Sequence, residues 1–222
     1  MDSELIRREQ VETLFSTRFL SLYDLQYAAG KHYYDASRRA PEALAAIKND
    51  QEFREMTPDA VTCAVILREE GRPDRLLLSY EYRYPAGRYL LSPPAGLVDP
   101  EDGSGPEALL AAAKREIFEE TGIRVKETDR ISVVNPLLFS SPGMTDESNA
   151  FVAAVVSLDS EDTLSQEGVS GSERFNGFVL ADREDALRFL KNGADDQGIY
   201  YSVFTWITMA YFVSGIWEKE DR

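Results

Sequence analysis

The chain has 222 residues, 43% hydrophobic and 28% charged, which is typical of one globular domain with at most a small appendage. Its formal net charge of -15 at pH 7 would repel nucleic acid and anionic membranes, so neither is expected as a partner. The single histidine, His32, and the single cysteine, Cys63, exclude a Cys/His zinc site and an intrachain disulfide. We therefore expect chemistry that depends on carboxylates, in a reducing compartment.

Targeting signals are not evident in the sequence. Residues 1–9 are charged and contain no apolar signal core. The stretch 200–217 carries no charge, but polar and aromatic residues are spread along it, which favours a helix in the core or at a dimer interface over a membrane span. The sequence therefore predicts a soluble, cytoplasmic protein.

The first 58 residues predict a small β subdomain. Residues 18–27 alternate as a strand, 28–31 form a turn, and 32–38 return as a second strand. A polar, helix-prone stretch at 41–55 then leads to the main domain.

The main domain, residues 59–222, mixes strands with a few helices. Strands are predicted at 60–67, 75–82, 88–91, 130–138, 150–156 and 175–180, and helices at 105–121, 183–192 and 200–217. Because strands and helices do not alternate regularly, the pattern favours an α+β fold over a doubly wound one.

The helix predicted at 105–121 carries the most informative pattern. Ser104 and Glu107 have the spacing of a capping box, and Gly122 stands where a helix ends. At about 100° per residue, an apolar stripe forms on one face. Its members are Leu109, Ala113 and Ile117.

Three carboxylates lie at the C-terminal end of this helix: Glu116, Glu119 and Glu120. They repel one another, and the helix dipole at that end favours positive charge. A divalent cation would relieve both penalties, and carboxylates without histidine or cysteine suit Mg²⁺, or else Mn²⁺. A solvated acidic face is the alternative interpretation.

The spacing along the helix resembles the Nudix box. Glu107 is followed after seven residues by Arg115-Glu116-Ile117, then by Glu119-Glu120 and Gly122-Ile123. The box normally opens with a glycine six residues before its first glutamate, but that position is Glu101 here and the natural glycine is Gly96. We interpret this departure as a five-residue insertion in the loop 99–104.

The flanking segments 76–85, 94–99 and 141–148 are similar to the ADP-ribose pyrophosphatase subgroup of Nudix hydrolases. The resemblance implies a Nudix fold, a mixed β-sheet sandwich packed between helices. It also implies a homodimer formed through the N-terminal subdomain, in which each site takes residues from the partner.

The resemblance also implies roles for individual residues. The metal ligands would be the Ala95 carbonyl, Glu116, Glu119 and Glu120, with Arg115 paired to Glu107 as structural support. Substrate contacts would come from Arg83 and Glu147. Arg38 or Arg39 would reach the site of the partner, with a solvated strand end as the equal alternative for these two residues. Glu119 and Glu120 would also be catalytic, whereas the base would lie in the acidic loop 159–173, with Glu173 ranked first, Glu167 second, and Glu161 and Asp162 as further candidates.

The implied reaction is Mg²⁺-dependent hydrolysis of a nucleoside diphosphate derivative, ADP-ribose giving AMP and ribose 5-phosphate. Another nucleotide sugar or a dinucleotide as substrate, or a Nudix domain that only binds its ligand, is the alternative. One feature departs from the subgroup, since Ser92 and Pro93 stand where Glu-Leu is frequent. A nucleophilic hydrolase using Cys63 and His32 is a third possibility, disfavoured because Cys63 lies in an apolar run.

Overall fold

The structure is a computed structural model that describes residues 6–103, 105–158, 164–169 and 171–219. The chain divides into two compact units. The first comprises Met1–Asp59 and Leu137–Asn149, and the second comprises Ala60–Pro136 and Ala150–Arg222.

An antiparallel three-stranded sheet forms most of the first unit, with strands β1 (Val11–Ser16), β2 (Ser21–Ala28) and β3 (Lys31–Ser37) in the order β1-β2-β3. The predicted hairpin is confirmed as β2 and β3, whereas β1 was not predicted. The helix expected at 41–55 is correct only at α1 (Asp50–Arg54), since two 3₁₀ turns precede it. Between them Leu44 is extended and packs with Tyr23 and Leu25, so core packing overrides the local helical preference.

A seven-stranded sheet forms the centre of the second unit, in the order β10-β5-β4-β9-β8, with β6 paired to β5 and β7 paired to β4. Its strands are β4 (Ala60–Arg68), β5 (Arg75–Arg83), β6 (Arg88–Ser92), β7 (Ala95–Leu97), β8 (Arg130–Phe139), β9 (Ser148–Ser157) and β10 (Phe175–Ala181). All six predicted strands are confirmed, and the short β7 is additional.

Helix α2 (Gly105–Thr121) packs on this sheet through the predicted stripe. Leu109, Ala113 and Ile117 are buried and share one core with alternate side chains of β4 and β9. The helix ends as predicted, because Gly122 has a φ of 76° and donates its N–H to the Phe118 carbonyl. The predicted cap Ser104 lies outside the described residues.

Helix α3 (Arg183–Asn192) begins at Asp182, whose side chain accepts two backbone N–H bonds, and is followed by Gly193. Helix α4 (Val203–Ser214) is shorter than the predicted 200–217 because Ser202 caps its start and Gly215 follows its end. One face of α4 is buried, while Trp206 on the other is 49% exposed. In the described part of the chain, none of the helices has the length and apolarity needed to span a bilayer.

Candidate active site

Two of the three helix carboxylates point into the second unit. Glu116 and Glu120 are 6% and 3% exposed, respectively, one turn apart at the C-terminal half of α2. The side chain of Glu119 is 44% exposed. The fully solvated acidic face considered above is therefore wrong for Glu116 and Glu120, since desolvating a carboxylate is costly unless something compensates its charge.

The segment that connects β6 to α2 lies against these carboxylates. The Ala95 N–H donates to Glu120 Oε1 at 3.4 Å, and the pairing of Thr62 with Ala95 holds β7 beside β4. A Cβ added at Gly96 would lie 2.0 Å from Glu116 Cδ, closer than atoms can approach. The end of the Glu116 side chain would have to move to make room for it, so Gly96 lets the backbone pass close to Glu116 in its present position. Ala95 and Gly96 therefore lie directly beside Glu120 and Glu116.

Arg115 holds the same loop from the other side. Its guanidinium donates to both carboxylate oxygens of Asp102, at 3.3 and 2.9 Å, and to the Leu97 carbonyl at 2.9 Å. It also donates to Glu116 at 2.6 Å and to Glu119 at 3.4 Å.

The predicted pair between Arg115 and Glu107 is corrected by these contacts. Glu107 is exposed in the first turn of α2, about 12 Å along the helix axis from Arg115. Asp102, whose side chain is only 7% exposed, takes its place. A signal for Asp102 was present in the sequence: it follows Gly96 by six positions, the spacing that the Nudix box requires, so the extra residues lie after Asp102 rather than before it.

Burial and like charges shift the pKa values of Glu116 and Glu120 upward. The pKa of Glu120 is well above its ordinary value because of burial and the charges of Glu81 and Glu116, against a smaller opposite effect of the Ala95 N–H. The pKa of Glu116 rises to about 7, because burial and the charges of Glu119 and Glu173 outweigh the stabilising Arg115. Both carboxylates therefore lack a sufficient positive charge nearby.

A further acidic residue, Glu81 on β5, belongs to this cluster and was not predicted. It is 8% exposed, its Oε2 lies 2.6 Å from Nη2 of Arg83, and its carboxylate is hydrogen-bonded to Ser92. The predicted substrate residue Arg83 is thus beside the cluster, with 46% of its side chain exposed.

Two candidates for the base differ in their surroundings. Glu173 is exposed in the segment before β10, and its charge interacts with those of Arg83 and Glu119; the partial burial of its carboxyl group raises its pKa. Glu167 is exposed, in a turn where the Ser165 hydroxyl accepts its N–H. Glu161 and Asp162 lie outside the described residues.

The other predicted substrate residues lie in the first unit. Arg38 Nε is 3.4 Å from Glu147 Oε1, and both side chains are partly exposed. Arg39 is 11% exposed at its side chain and lies 2.7 Å from Asp59 and 3.5 Å from Asp146, contacts that stabilise the first unit itself. Substrate binding by Arg38, Arg39 and Glu147 stays a prediction.

The residues of the second unit fit a hard divalent cation by their chemistry. Buried carboxylates with raised pKa values and a backbone carbonyl at Ala95 are the oxygen donors that Mg²⁺ prefers. Among the described residues, however, no three acidic, histidine or cysteine side chains already converge on one point. Glu116 is instead turned towards Arg115, so binding a cation requires this side chain to rotate.

Cys63 and His32 are poor candidates for nucleophilic chemistry. Cys63 is fully buried in β4, and burial together with Glu120 and Glu116 raises the pKa of its thiol, which disfavours the reactive thiolate. His32 belongs to the first unit, where Nδ1 lies 2.7 Å from Asp24 Oδ2.

Curated proteins with similar sequences carry names that indicate related chemistry. The chain is 28% identical over 129 residues to the ADP-sugar pyrophosphatase of Mus musculus, covering 58% of this chain and 55% of that protein. It is 25% identical over 158 residues to the ADP-ribose pyrophosphatase of Saccharomyces cerevisiae, covering 71% of this chain and 61% of that protein. The chain thus matches only about 55–61% of the length of these relatives.

A solved structure, the binary complex of a Caenorhabditis elegans Ap4A hydrolase, overlaps with 72% of this chain and 98% of its own, at 20% identity and a TM-score of 0.46. A similarity of this size carries no argument about substrate. The model of the NUDIX domain, in contrast, matches residues 56–201, which include all of β4 to β7, α2 and the carboxylate cluster. With that match over most of its length, and with the α+β fold that its second unit adopts, the chain belongs to the Nudix family.

Proposed function

We propose that the chain hydrolyses the diphosphate bond of ADP-ribose with Mg²⁺ as cofactor, which Mn²⁺ can replace, and releases AMP and ribose 5-phosphate. The observation that carries the proposal is the pair Glu116 and Glu120, buried against Ala95 and Gly96 with raised pKa values. Such a pair is destabilising unless a cation binds it. The names of the two pyrophosphatases above support the choice of substrate.

In this proposal the cation would be held by the Ala95 carbonyl, Glu116 and Glu120, with Glu119 adding a more exposed oxygen. When bound, Mg²⁺ supplies positive charge that neutralises the diphosphate and the charge developing on the leaving phosphate. Arg115 restrains the helix carboxylates by its bonds to Asp102 and Leu97. Arg83, half exposed beside the cluster, would pair with a phosphate oxygen in this proposal.

The base in this proposal is Glu173. It removes a proton from the attacking water, whose oxygen forms the new bond to phosphorus as the bridging P–O bond breaks. A raised pKa suits this role, because it brings the carboxylate closer to the operating pH. Glu167 is the second choice for the base. Glu119, whose carboxylate already lies in the cluster, is the other catalytic candidate.

We also propose that the chain forms a homodimer through the three-stranded sheet of the first unit. That unit carries several exposed large hydrophobic side chains, which include Leu14, Phe15, Phe19, Leu20, Tyr27 and Tyr34. Phe15 and Phe19 are 63% and 68% exposed. Exposed apolar patches of this kind mark interfaces. Sedimentation should give a dimer for wild type and a monomer for Phe15→Glu; a monomeric wild type would contradict the proposal.

The reaction is tested by product analysis. Purified protein is incubated with ADP-ribose and Mg²⁺, beside Glu120→Gln and the control Glu70→Gln, which removes the same charge from an exposed turn. We expect AMP and ribose 5-phosphate from wild type and Glu70→Gln but not from Glu120→Gln. Equal turnover by Glu120→Gln would reject the site. Turnover only of other nucleotide sugars or dinucleotides would reject ADP-ribose, and no turnover at all would favour a ligand-binding domain.

A further inference from the structure

Residues 164–169 of the acidic loop lie against the last turn of α2. The Ser165 N–H donates to the Thr121 carbonyl at 2.9 Å, which satisfies one of the carbonyls that a helix leaves unpaired at its C-terminal end. A Cβ added at Gly168 would lie 2.6 Å from the Glu119 carbonyl oxygen and 3.0 Å from the Glu119 Cα. The loop backbone therefore approaches the helix backbone so closely that no side chain fits between them.

The same segment is bound to the strand β10 through a side chain. The Gly177 N–H donates to Gln166 Oε1 at 3.0 Å, and Gln166 Nε2 donates to the Gly177 carbonyl at 3.5 Å. The Gln166 amide thus pairs with both backbone groups of Gly177, as the backbone of a neighbouring strand would.

Gly177 lies in an irregularity of the pairing between β10 and β5. Between Phe175 and Phe178, β10 has two residues where β5 has only one. Gly177 is one of these two, and its φ of 86° is a conformation that favours glycine. Such a β-bulge leaves a residue unpaired in the ladder and bends the strand. Gln166 therefore binds β10 at the point where the sheet itself holds this strand least.

Both candidates for the base are next to these contacts. Glu167 lies between Gln166 and Gly168, and Glu173 lies two positions before β10 begins at Phe175. The contacts join the last turn of α2, which carries the proposed metal ligands, to the strand that follows Glu173. They thereby restrict how far the acidic loop can move from the helix carboxylates.

We propose that Gln166 and Gly168 are positioning residues, which hold the base at the distance from the helix carboxylates that the reaction requires. This inference rests on the proposed function, because it concerns the same reaction. Gln166 acts through its amide on Gly177, and Gly168 acts by having no side chain. Proton removal requires the base to be within hydrogen-bond distance of the water, so a displacement of about 1 Å is costly.

The alternative is that these contacts only stabilise the loop. Ile117 fixes α2 in the core, whereas residues 164–169 are partly or fully exposed, so a methyl group added at Gly168 should displace the loop rather than the helix. A purely stabilising contact, when removed, would lower the unfolding temperature and leave kcat of the folded enzyme unchanged. A positioning contact, when removed, lowers kcat and kcat/KM equally.

The kinetic test compares Gln166→Ala and Gly168→Ala with the control Gln51→Ala, which removes an exposed glutamine amide that donates to Glu55 in the first unit. With ADP-ribose and Mg²⁺, we expect kcat of both loop variants to fall by roughly tenfold to a hundredfold, with KM within about twofold of wild type. Gln51→Ala should keep the wild-type kcat. Gln166→Glu retains an oxygen that accepts the Gly177 N–H, so it should recover most of the activity.

Two measurements without substrate accompany the kinetics. Mn²⁺ binding, followed by electron paramagnetic resonance of the free ion, should be the same in wild type and Gln166→Ala, because Gln166 is not a proposed ligand. In the metal-free protein, the Gly177 N–H should exchange with solvent faster in Gln166→Ala than in wild type or Gln51→Ala.

The outcomes separate this inference from the proposed function. If wild type hydrolyses ADP-ribose and both loop variants keep its kcat, the inference is overturned while the proposed function stands. A loss of Mn²⁺ affinity in proportion to the loss of activity would also overturn it, since the effect would then be on the metal site. Equal exchange of the Gly177 N–H in wild type and Gln166→Ala would refute the contact itself. If wild type does not hydrolyse ADP-ribose, the proposed function falls and this inference falls with it.

Discussion

Replacing Asp102 by asparagine tests which residue restrains Arg115. Asp102 accepts two hydrogen bonds from the guanidinium and one from the Asp99 N–H, at 2.9 Å, with its side chain 7% exposed. A hydrogen bond to a charged group contributes about 1.5–3 kcal/mol. Arg115 is 29% exposed and keeps its bond to Leu97, so we expect Asp102→Asn to lower the free energy of unfolding by about 1–2 kcal/mol.

Two control variants make this comparison specific. Asp99 also faces Arg115, at 3.4 Å, but its side chain is 51% exposed, so Asp99→Asn should cost roughly 0–1 kcal/mol. Glu107→Gln should leave stability within about 0.5 kcal/mol of wild type, because Glu107 is exposed and distant from Arg115 along the helix. The free energies are measured by urea unfolding in EDTA.

The pH dependence gives a second measurement on the same variants. Burial raises the pKa of Asp102, but the hydrogen bonds from Arg115 and the Asp99 N–H together lower it by more. The pKa of Asp102 therefore lies below its ordinary value. The stabilisation by Asp102 is therefore present above about pH 4 and is lost as the pH falls through the lowered pKa. The difference between wild type and Asp102→Asn should shrink below pH 4. If Glu107→Gln costs as much as Asp102→Asn, the spacing counted from Glu107 was right and our correction is wrong.

Three further results are expected. Gly96→Ala should reduce the rise in unfolding temperature that Mn²⁺ produces, because the added Cβ would lie 2.0 Å from Glu116 Cδ and would displace that carboxylate. An equal rise in wild type and variant would contradict this packing. In EDTA, the free energy of unfolding should fall as the pH rises from 4.5 to about 7, since folded Glu116 retains a proton that the unfolded chain releases, and Glu116→Gln should flatten this part of the profile. Tyr80→Phe should lower the free energy of unfolding by about 1–3 kcal/mol, measured with urea, because buried Asp195 loses the hydroxyl that donates to it at 2.6 Å; no change would mean that water replaces the bond.

The sequence by itself determined the local features of the site. Helical periodicity placed Leu109, Ala113 and Ile117 on the buried stripe of α2 and put Glu116 one turn before Glu120. Gly122 ended the helix where predicted, since a residue with positive φ is needed there. These features depend on residues a few positions apart, whose relative placement follows from helix geometry alone.

Only the tertiary structure decided which groups meet across elements. Three acidic residues, Asp99, Asp102 and Glu107, shortly precede Arg115 in the sequence. The path of the loop after Gly96 brings Asp102 into a two-bond contact with the guanidinium. Glu81 meets Ser92 because β5 and β6 pair in one sheet, and that pairing depends on register over many residues. The net charge of -15 indicated a protein rich in carboxylates, but only packing determined which of them, Glu116 and Glu120, are buried away from water.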